Sequence, residues 1–518
     1  MKYQATKTLE KLAQNPLDLT KEGTLTPERL ETFFVEACGY KFLYGTEKIT
    51  DDVMKALQDL ATESNALERM EKMQSGEVTN YINGYTSDNR AVLHTAVRDF
   101  FDHPKTTKAC KDATTLAKKE VDKLKEFLKK YESKFTDLVM IAIGGSDLGP
   151  RANTLALLAL KKPGKNVHFI SNVDPDDAAS VFKGLDLAKT LVVVVSKSGT
   201  TLETMTNEEL ARARFEKAGL NPKEHFVSVT GEGSPMDSKE RYLESFHIWD
   251  WVGGRFSSSS MVGGVVLSFA CGFDVYWEVL KGAHAMDLTA LEKDPKKNLP
   301  LFAALIGIWN HNFLGYHTMA VVPYSQGLYR YAAHIQQVDM ESNGKWIDQD
   351  GKHVSFETGP IIWGEPGTNA QHSFFQLIHQ GTATVPVEFI GFKETQYNED
   401  FKFKTTTSQQ KLLANMFAQS LALATGKKDE NPNKLFPGNR PSHILLGKKL
   451  TPFALGALLS FYEHKVAFQG FIWGINSFDQ EGVQLGKVLA DKIIGRMGDK
   501  DSKPYPLGDA LIKQLEKL

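Results

Sequence analysis

The stretch VVVVSKSGTTLET, Val192 to Thr204, runs four valines into a loop made almost entirely of hydroxyls, one glycine and one lysine. Ser196, Lys197, Ser198, Thr200 and Thr201 gather several hydrogen-bond donors and one positive charge at the start of a predicted helix, whose dipole also favours an anion. A phosphate group suits that chemistry. A capping box of Thr200 with Glu203, three residues on, is the structural alternative for two of these side chains. It leaves Lys197 and the extra hydroxyls unexplained.

Two further loops have the same character. In IAIGGSDLGPR, Ile141 to Arg151, serine occupies position 146 where a dinucleotide fingerprint needs glycine, and Pro150 stands where a Walker A loop needs lysine. What remains is a glycine turn at Gly145 that presents backbone N–H groups and the Ser146 hydroxyl, with a proline suited to the first turn of a helix. DWVGGRFSSSSMVGG, Asp250 to Gly264, places Arg255 after two glycines and before a serine-rich helix start. Arginine is permanently charged and its planar donors suit a developing oxyanion. Taken alone, an arginine there is more often structural.

The elements around these loops give the fold class. Short apolar runs at Leu138 to Ile143, Val167 to Ser171, Leu191 to Ser196 and Phe226 to Thr230 are each separated by about one helix. That pattern predicts a doubly wound parallel sheet buried on both faces, with ligands at the carboxyl ends of its strands. An amphipathic helix over Lys118 to Phe135 precedes it. A second alternation follows: a helix over Leu299 to Tyr316, strands at Met319 to Pro323, Pro360 to Trp363 and Thr384 to Ile390, and helices from Gln409 and Thr451. The chain therefore reads as α/β with two largely parallel-sheet domains. The expected division is 1–104, a helical region whose later part packs with the large domain; 105–270, the small α/β domain; 271–475, the large one; and 476–518, a helical arm.

Bulk composition narrows the function. With 518 residues, Lys+Arg 61 against Asp+Glu 63, and a net charge of −2, no global field draws nucleic acid or an anionic membrane. No signal-peptide pattern opens the sequence, and the longest apolar run, Met261 to Phe273, is too short to span a bilayer. A cytoplasmic location is expected. The three cysteines, Cys38, Cys110 and Cys271, form no metal spacing or disulfide framework.

IAIGGSDLGP, VVVVSKSGTTLET, DWVGGRFSSSS, QQVDMESNGK, GTNAQHSFFQLIHQGT and FDQEGVQLGK resemble, in order, the motifs of the glucose-6-phosphate isomerase family. The resemblance runs from about residue 45 to the end. It implies two sugar-isomerase-type domains, a C-terminal helical arm and a homodimer. It further implies an aldose–ketose isomerisation that needs no cofactor and no metal: a base shuttles one proton through a cis-enediol. By resemblance Glu341 is that base, Arg255 balances the enediolate charge and Gln337 lines the site. His372, supplied by the partner subunit, opens the sugar ring with Lys487 assisting and Glu203 orienting it, and Gln480 joins the phosphate loop. Without the resemblance, Glu341 reads as a loop acid and Lys487 as a solvated lysine on a helix face shared with Gln480 and Gln484.

The chain departs from the commonest family pattern at Ser198-Gly199, Ser258, Ser259 and Glu481, none of them a proposed catalytic group. A dehydrogenase using Asp174 for a ribose fails at Ser146. A sugar-phosphate sensor without turnover should have lost Glu341 or its neighbours, which this chain keeps; within the enzyme class, an isomerase that also accepts mannose 6-phosphate is the serious competitor.

Overall fold

The computed structural model describes residues 1–499 and 503–518. The chain forms two compact units, Met1–Ser477 and Phe478–Leu518.

The first unit contains two large sheets, whose strands in chain order are β1 (Phe34–Ala37), β2 (Tyr40–Leu43), β3 (Asp137–Ile141), β4 (Asn166–Ile170), β5 (Thr190–Ser196), β6 (Phe226–Thr230), β7 (Glu244–His247), β8 (Thr318–Tyr324), β9 (Ile361–Trp363), β10 (Val387–Phe392) and β11 (Ser442–Gly447). The five-stranded sheet has the order β4-β3-β5-β6-β7 and is parallel throughout. Every residue of β5 is buried, which is why a run of β-branched valines suits it. Val192 and Val194 of β5 pack with Val139 and Ile141 of β3 and with Ala211 and Phe215 of the following helix, Leu202–Lys217.

The six-stranded sheet has the order β1-β2-β11-β10-β8-β9. Its four later strands are parallel, while β1 and β2 form an antiparallel hairpin added at one edge. The sequence reading missed this hairpin, although helices Gln4–Ala13, Pro27–Thr32, Asp51–Glu63 and Ala66–Ser75 occupy much of the first hundred residues. The hairpin signal was present: Val35 and Phe42 are buried between exposed Phe34, Glu36 and Lys41, and Cys38-Gly39 turns with both φ values positive. A second correction concerns the helix expected from Lys118. It begins at Lys108, where the Thr107 side chain accepts from the Cys110 N–H, and buries Cys110, Ala113 and Ala117 before the face read from the sequence.

Helix Pro452–Trp473, capped by Thr451 and closed by left-handed Gly474, is buried from Leu455 to its end. It anchors a buried ionic cluster. Arg98 donates to both Asp287 oxygens at 2.8 and 2.7 Å, to Glu463 Oε2 at 2.7 Å and to Ser259 Oγ at 3.0 Å. Ser259 lies four residues beyond Arg255, so this cluster fixes the far end of the loop that carries the arginine. A guanidinium surrounded by acceptors on all sides resists displacement, because each broken bond would strand a charge in the interior.

In the second unit a short turn, Glu481–Val483, leads into helices Gln484–Gly498 and Pro506–Leu515, joined by an Arg496 Nε to Asp509 Oδ1 bond of 2.7 Å. Gln480 precedes the turn, so it does not share a continuous helical face with Gln484 and Lys487. No helix among the described residues is long and apolar enough to cross a membrane.

Candidate active site

The site lies beyond the carboxyl ends of β3, β5 and β7. Ile141 pairs with Val194 and Ser196 with Thr230, so the glycine loop and the hydroxyl loop leave the sheet side by side. Within the hydroxyl loop the side chains organise one another. Ser196 Oγ and Thr201 Oγ1 are 2.9 Å apart, the Gly199 N–H donates to Ser196 Oγ at 3.2 Å, and the Thr200 hydroxyl donates to Ser198 Oγ at 3.0 Å. Gly199 has φ +68°, and Ser198 and Thr200 remain exposed.

Here the structure replaces one sequence reading. The cap residue of helix Leu202–Lys217 is Thr201, and no side chain caps the helix. The Thr200 and Glu203 capping box is absent; the Thr200 hydroxyl is turned back to Ser198. An uncapped helix start with exposed hydroxyls retains its N–H groups for an anion.

Lys197 reaches across to the third loop. Its Nζ donates to the Val252 carbonyl at 3.3 Å and lies 3.7 Å from Asp250 Oδ1. Arg90 also pairs with Asp250, at 3.6 Å, and with Asp88. Burial lowers the Lys197 pKa, with Asp250 opposing that shift. Arg90, Asp88 and Asp250 were missed from the sequence, where nothing in NRAV or DWV marks them as neighbours of a lysine more than fifty positions away.

Gly145 and Arg255 meet at the junction of two loops. A Cβ on Gly145 would stand 2.3 Å from the Gly254 carbonyl carbon and 2.6 Å from the Arg255 nitrogen, so only glycine permits this approach. Arg255 is buried. Its Nε donates to Ser342 Oγ at 2.6 Å, its Nη2 donates to the Ser477 carbonyl at 2.6 Å, and its Nη1 lies 3.6 Å from Glu341 Oε1. Gln337 and Glu341 bound a π-helical segment that follows helix Tyr331–Gln336, and Gln337 Nε2 lies 3.7 Å from where a Gly144 Cβ would stand. The wider π turn is a common way to re-aim functional side chains. Ser342 and Ser477 had not been identified as site residues; Ser342 follows Glu341 in MESNGK, whereas Ser477 has no comparable signal.

His372 is exposed at the end of the short turn Asn369–His372, and among the described residues no hydrogen bond or ion pair joins it to Arg255, Glu341 or the hydroxyl loop. Glu203 lies half-buried in the first turn of its helix. Ser146 closes the 3₁₀ turn Gly144–Ser146 and is half-buried. Gln480 and Lys487 belong to the second unit and are exposed. Among the described residues no group of three or more His, Cys, Asp or Glu side chains could hold a metal ion.

What the arrangement can do follows from its charges. A carboxylate that can accept a proton faces a fixed guanidinium, next to a loop suited to a phosphate. Comparison with known proteins gives the same direction. A glucose-6-phosphate isomerase of Protochlamydia amoebophila (strain UWE25) is 63% identical over 521 aligned residues, covering 99% of this chain and 97% of that protein. One from Chlamydia pneumoniae is 54% identical, covering 98% and 97%. The crystal structure of a glucose-6-phosphate isomerase from Chlamydia trachomatis D/UW-3/Cx superposes with a TM-score of 0.96 at 50% identity, covering 99% of each chain. The phosphoglucose isomerase profile matches residues 43–504, and the chain belongs to the phosphoglucose isomerase family.

Proposed function

We propose that this chain interconverts glucose 6-phosphate and fructose 6-phosphate. The observation that supports this most directly is the buried Arg255 held beside Glu341, within a family whose relatives bear that enzyme name. The substrate's phosphate sits among Ser196, Lys197, Ser198, Thr200 and Thr201, and the family resemblance adds Gln480 to its donors. Backbone groups at Gly145 and Ser146 and the Gln337 amide line the carbon chain.

The reaction begins with ring opening. His372 of the partner subunit, oriented by Glu203 and assisted by Lys487, moves a proton between the anomeric hydroxyl and the ring oxygen, and the C1–O5 bond breaks. Glu341 then takes the proton from C2 of the aldose while electrons move into the C1–C2 bond, giving a cis-enediolate. Arg255 stabilises the negative charge on oxygen as it develops. The O2 hydroxyl proton passes to O1, Glu341 returns its proton to C1, the carbonyl forms at C2, and no atom is gained or lost. In the reverse direction the same proton leaves C1. The chemistry requires neither metal nor redox cofactor, and it fits a homodimeric enzyme of glycolysis and gluconeogenesis working in the cytoplasm.

The test is conversion of fructose 6-phosphate to glucose 6-phosphate by the purified protein, with a chelator present and no cofactor in the isomerisation step. Rapid turnover that collapses in Glu341→Gln is expected. A folded wild-type protein without turnover would refute the proposal and shift attention to a sensor or a different phosphosugar.

A further inference from the structure

Two hydrogen bonds of the Arg255 guanidinium end on residues joined to buried Asn343, one as its chain neighbour and one through a side-chain bond. Nε donates to the hydroxyl of Ser342, the residue immediately before Asn343. Nη2 donates to the carbonyl of Ser477, whose own hydroxyl donates to Asn343 Oδ1 at 2.8 Å. Asn343 Nδ2 in turn donates to the Val466 carbonyl at 3.1 Å, within helix Pro452–Trp473. Ser342, Asn343 and Ser477 are all buried, at 0%, 0% and 1% exposure. Gly470 leaves the room this requires, since a Cβ there would lie 1.8 Å from Ser477 Oγ.

These bonds have a direction as well as an energy. A guanidinium is planar, and acceptors on Nε and Nη2 fix both its position and its plane. With those two nitrogens engaged, the third, Nη1, is the one turned toward Glu341. Charge stabilisation in a reaction depends on donors standing in place before the charge appears, and displacement by about 1 Å can cost roughly 10²-fold in rate. Because Glu341 and Ser342 are consecutive, any shift of this turn moves the carboxylate and the arginine's acceptor together.

We propose that Asn343, acting with Ser342 and Ser477, is a positioning group that sets the plane of Arg255 against Glu341. This inference rests on the roles given above to Arg255 and Glu341. None of the three residues contacts the reacting atoms; they act through the arginine.

The experiment uses Ser342→Ala and Ser477→Ala in the full chain, singly and together. Ser342→Ala removes an acceptor of the guanidinium directly, whereas Ser477→Ala keeps the accepting carbonyl and cuts the hydroxyl tether that holds its residue to Asn343; should one variant fail to fold, the other tests the same circuit. The assay reads kcat, KM and the affinity for two probes: a five-carbon phosphorylated aldonohydroxamate, whose planar anion copies the enediolate, and a six-carbon phosphorylated sugar alcohol, which has no such anion. The expected result is a fall in kcat of about tenfold or more with KM changed by less than about threefold. Affinity for the hydroxamate falls in parallel with kcat, while affinity for the sugar alcohol holds. The double variant loses less than the product of the single losses, because both tethers act on one plane. Unchanged kcat, or equal weakening of both probes, overturns the inference, the latter marking general loosening of the site. Glu341→Gln and Arg255→Ala run beside them. If those two retain full turnover, the functional reading itself fails; if they collapse while the serine variants match wild type, only the positioning role fails.

Discussion

Arg255 Nη1 lies 3.6 Å from Glu341 Oε1, with the arginine side chain 1% exposed and the glutamate 20% exposed. The cation is therefore fixed in the interior, while the carboxylate keeps an open side toward which a substrate carbon can approach. That asymmetry separates the roles of stabiliser and base. Glu341→Gln retains the side chain's shape and removes its capacity to accept a proton. We expect kcat to fall by roughly 10²- to 10⁴-fold with binding of a phosphorylated sugar alcohol retained, measured by steady-state kinetics and calorimetry.

Arg255→Lys preserves the charge and loses the fork. A lysine ammonium cannot satisfy Ser342 Oγ and the Ser477 carbonyl in the geometry of a planar guanidinium while also facing Glu341. The expected loss in kcat is roughly 10²- to 10³-fold, of the order seen when one oxyanion donor is removed. Activity within a few-fold of wild type would show that charge alone is sufficient.

The pH dependence of KM follows from Lys197. Its pKa is lowered by burial, and its charged form is the one that attracts phosphate. As pH rises through that lowered value the ammonium is lost, so KM rises, and the rise begins at a lower pH than for a solvated lysine. On the acid side KM rises again as the phosphate dianion takes up a proton, at about pH 6. Lys197→Met should raise KM by roughly 10- to 100-fold, the equivalent of one charge-assisted hydrogen bond, and should remove the alkaline limb. Persistence of that limb in the variant would assign it to another group.

Gly145→Ala tests the loop junction. The added methyl meets the backbone of Gly254 and Arg255, which cannot swing aside as a side chain would. Overpacking of this kind destabilises by about 1–3 kcal/mol. The expected outcome is a lower melting temperature together with a fall in kcat, because the displaced segment is the one that carries Arg255.

A mixed-subunit experiment addresses His372. Chains bearing His372→Ala and chains bearing Glu341→Gln are each expected to be inactive when pure. Co-refolded mixtures should regain about a quarter of wild-type activity per site if each site takes His372 from its neighbour, by random pairing of the two chains. No recovery in verified mixed dimers would place the whole site within one chain.

Much of the fold was legible because its signals are local. The seven residues of β5 are uniformly apolar or small and uniformly buried, so a central parallel strand could be read directly. The start of the helix at Lys108 was harder, since its buried Ala113 and Ala117 are small residues that leave a weak apolar stripe. The hairpin of β1 and β2 alternates as a half-buried edge should, but its four-residue strands acquire meaning only by pairing with β11, about four hundred residues later.

The sequence by itself determined which side chains exist at each loop, their order, and the chemistry open to them: hydroxyls and a lysine for an anion, an arginine for developing charge, a carboxylate for a proton. Tertiary structure decided which of them meet. Arg255 finds its hydrogen-bond acceptors at Ser342 and Ser477, 87 and 222 positions away. Periodicity and motif spacing report only on neighbours along an element, whereas a hydrogen bond requires its atoms to lie within about 3.2 Å. That closeness arises when the loops beyond the first sheet, the π turn at Glu341 and the end of helix Pro452–Trp473 pack against one another. Thr200, by contrast, is turned from the helix it could have capped by a local bond to Ser198, which leaves the hydroxyl loop open.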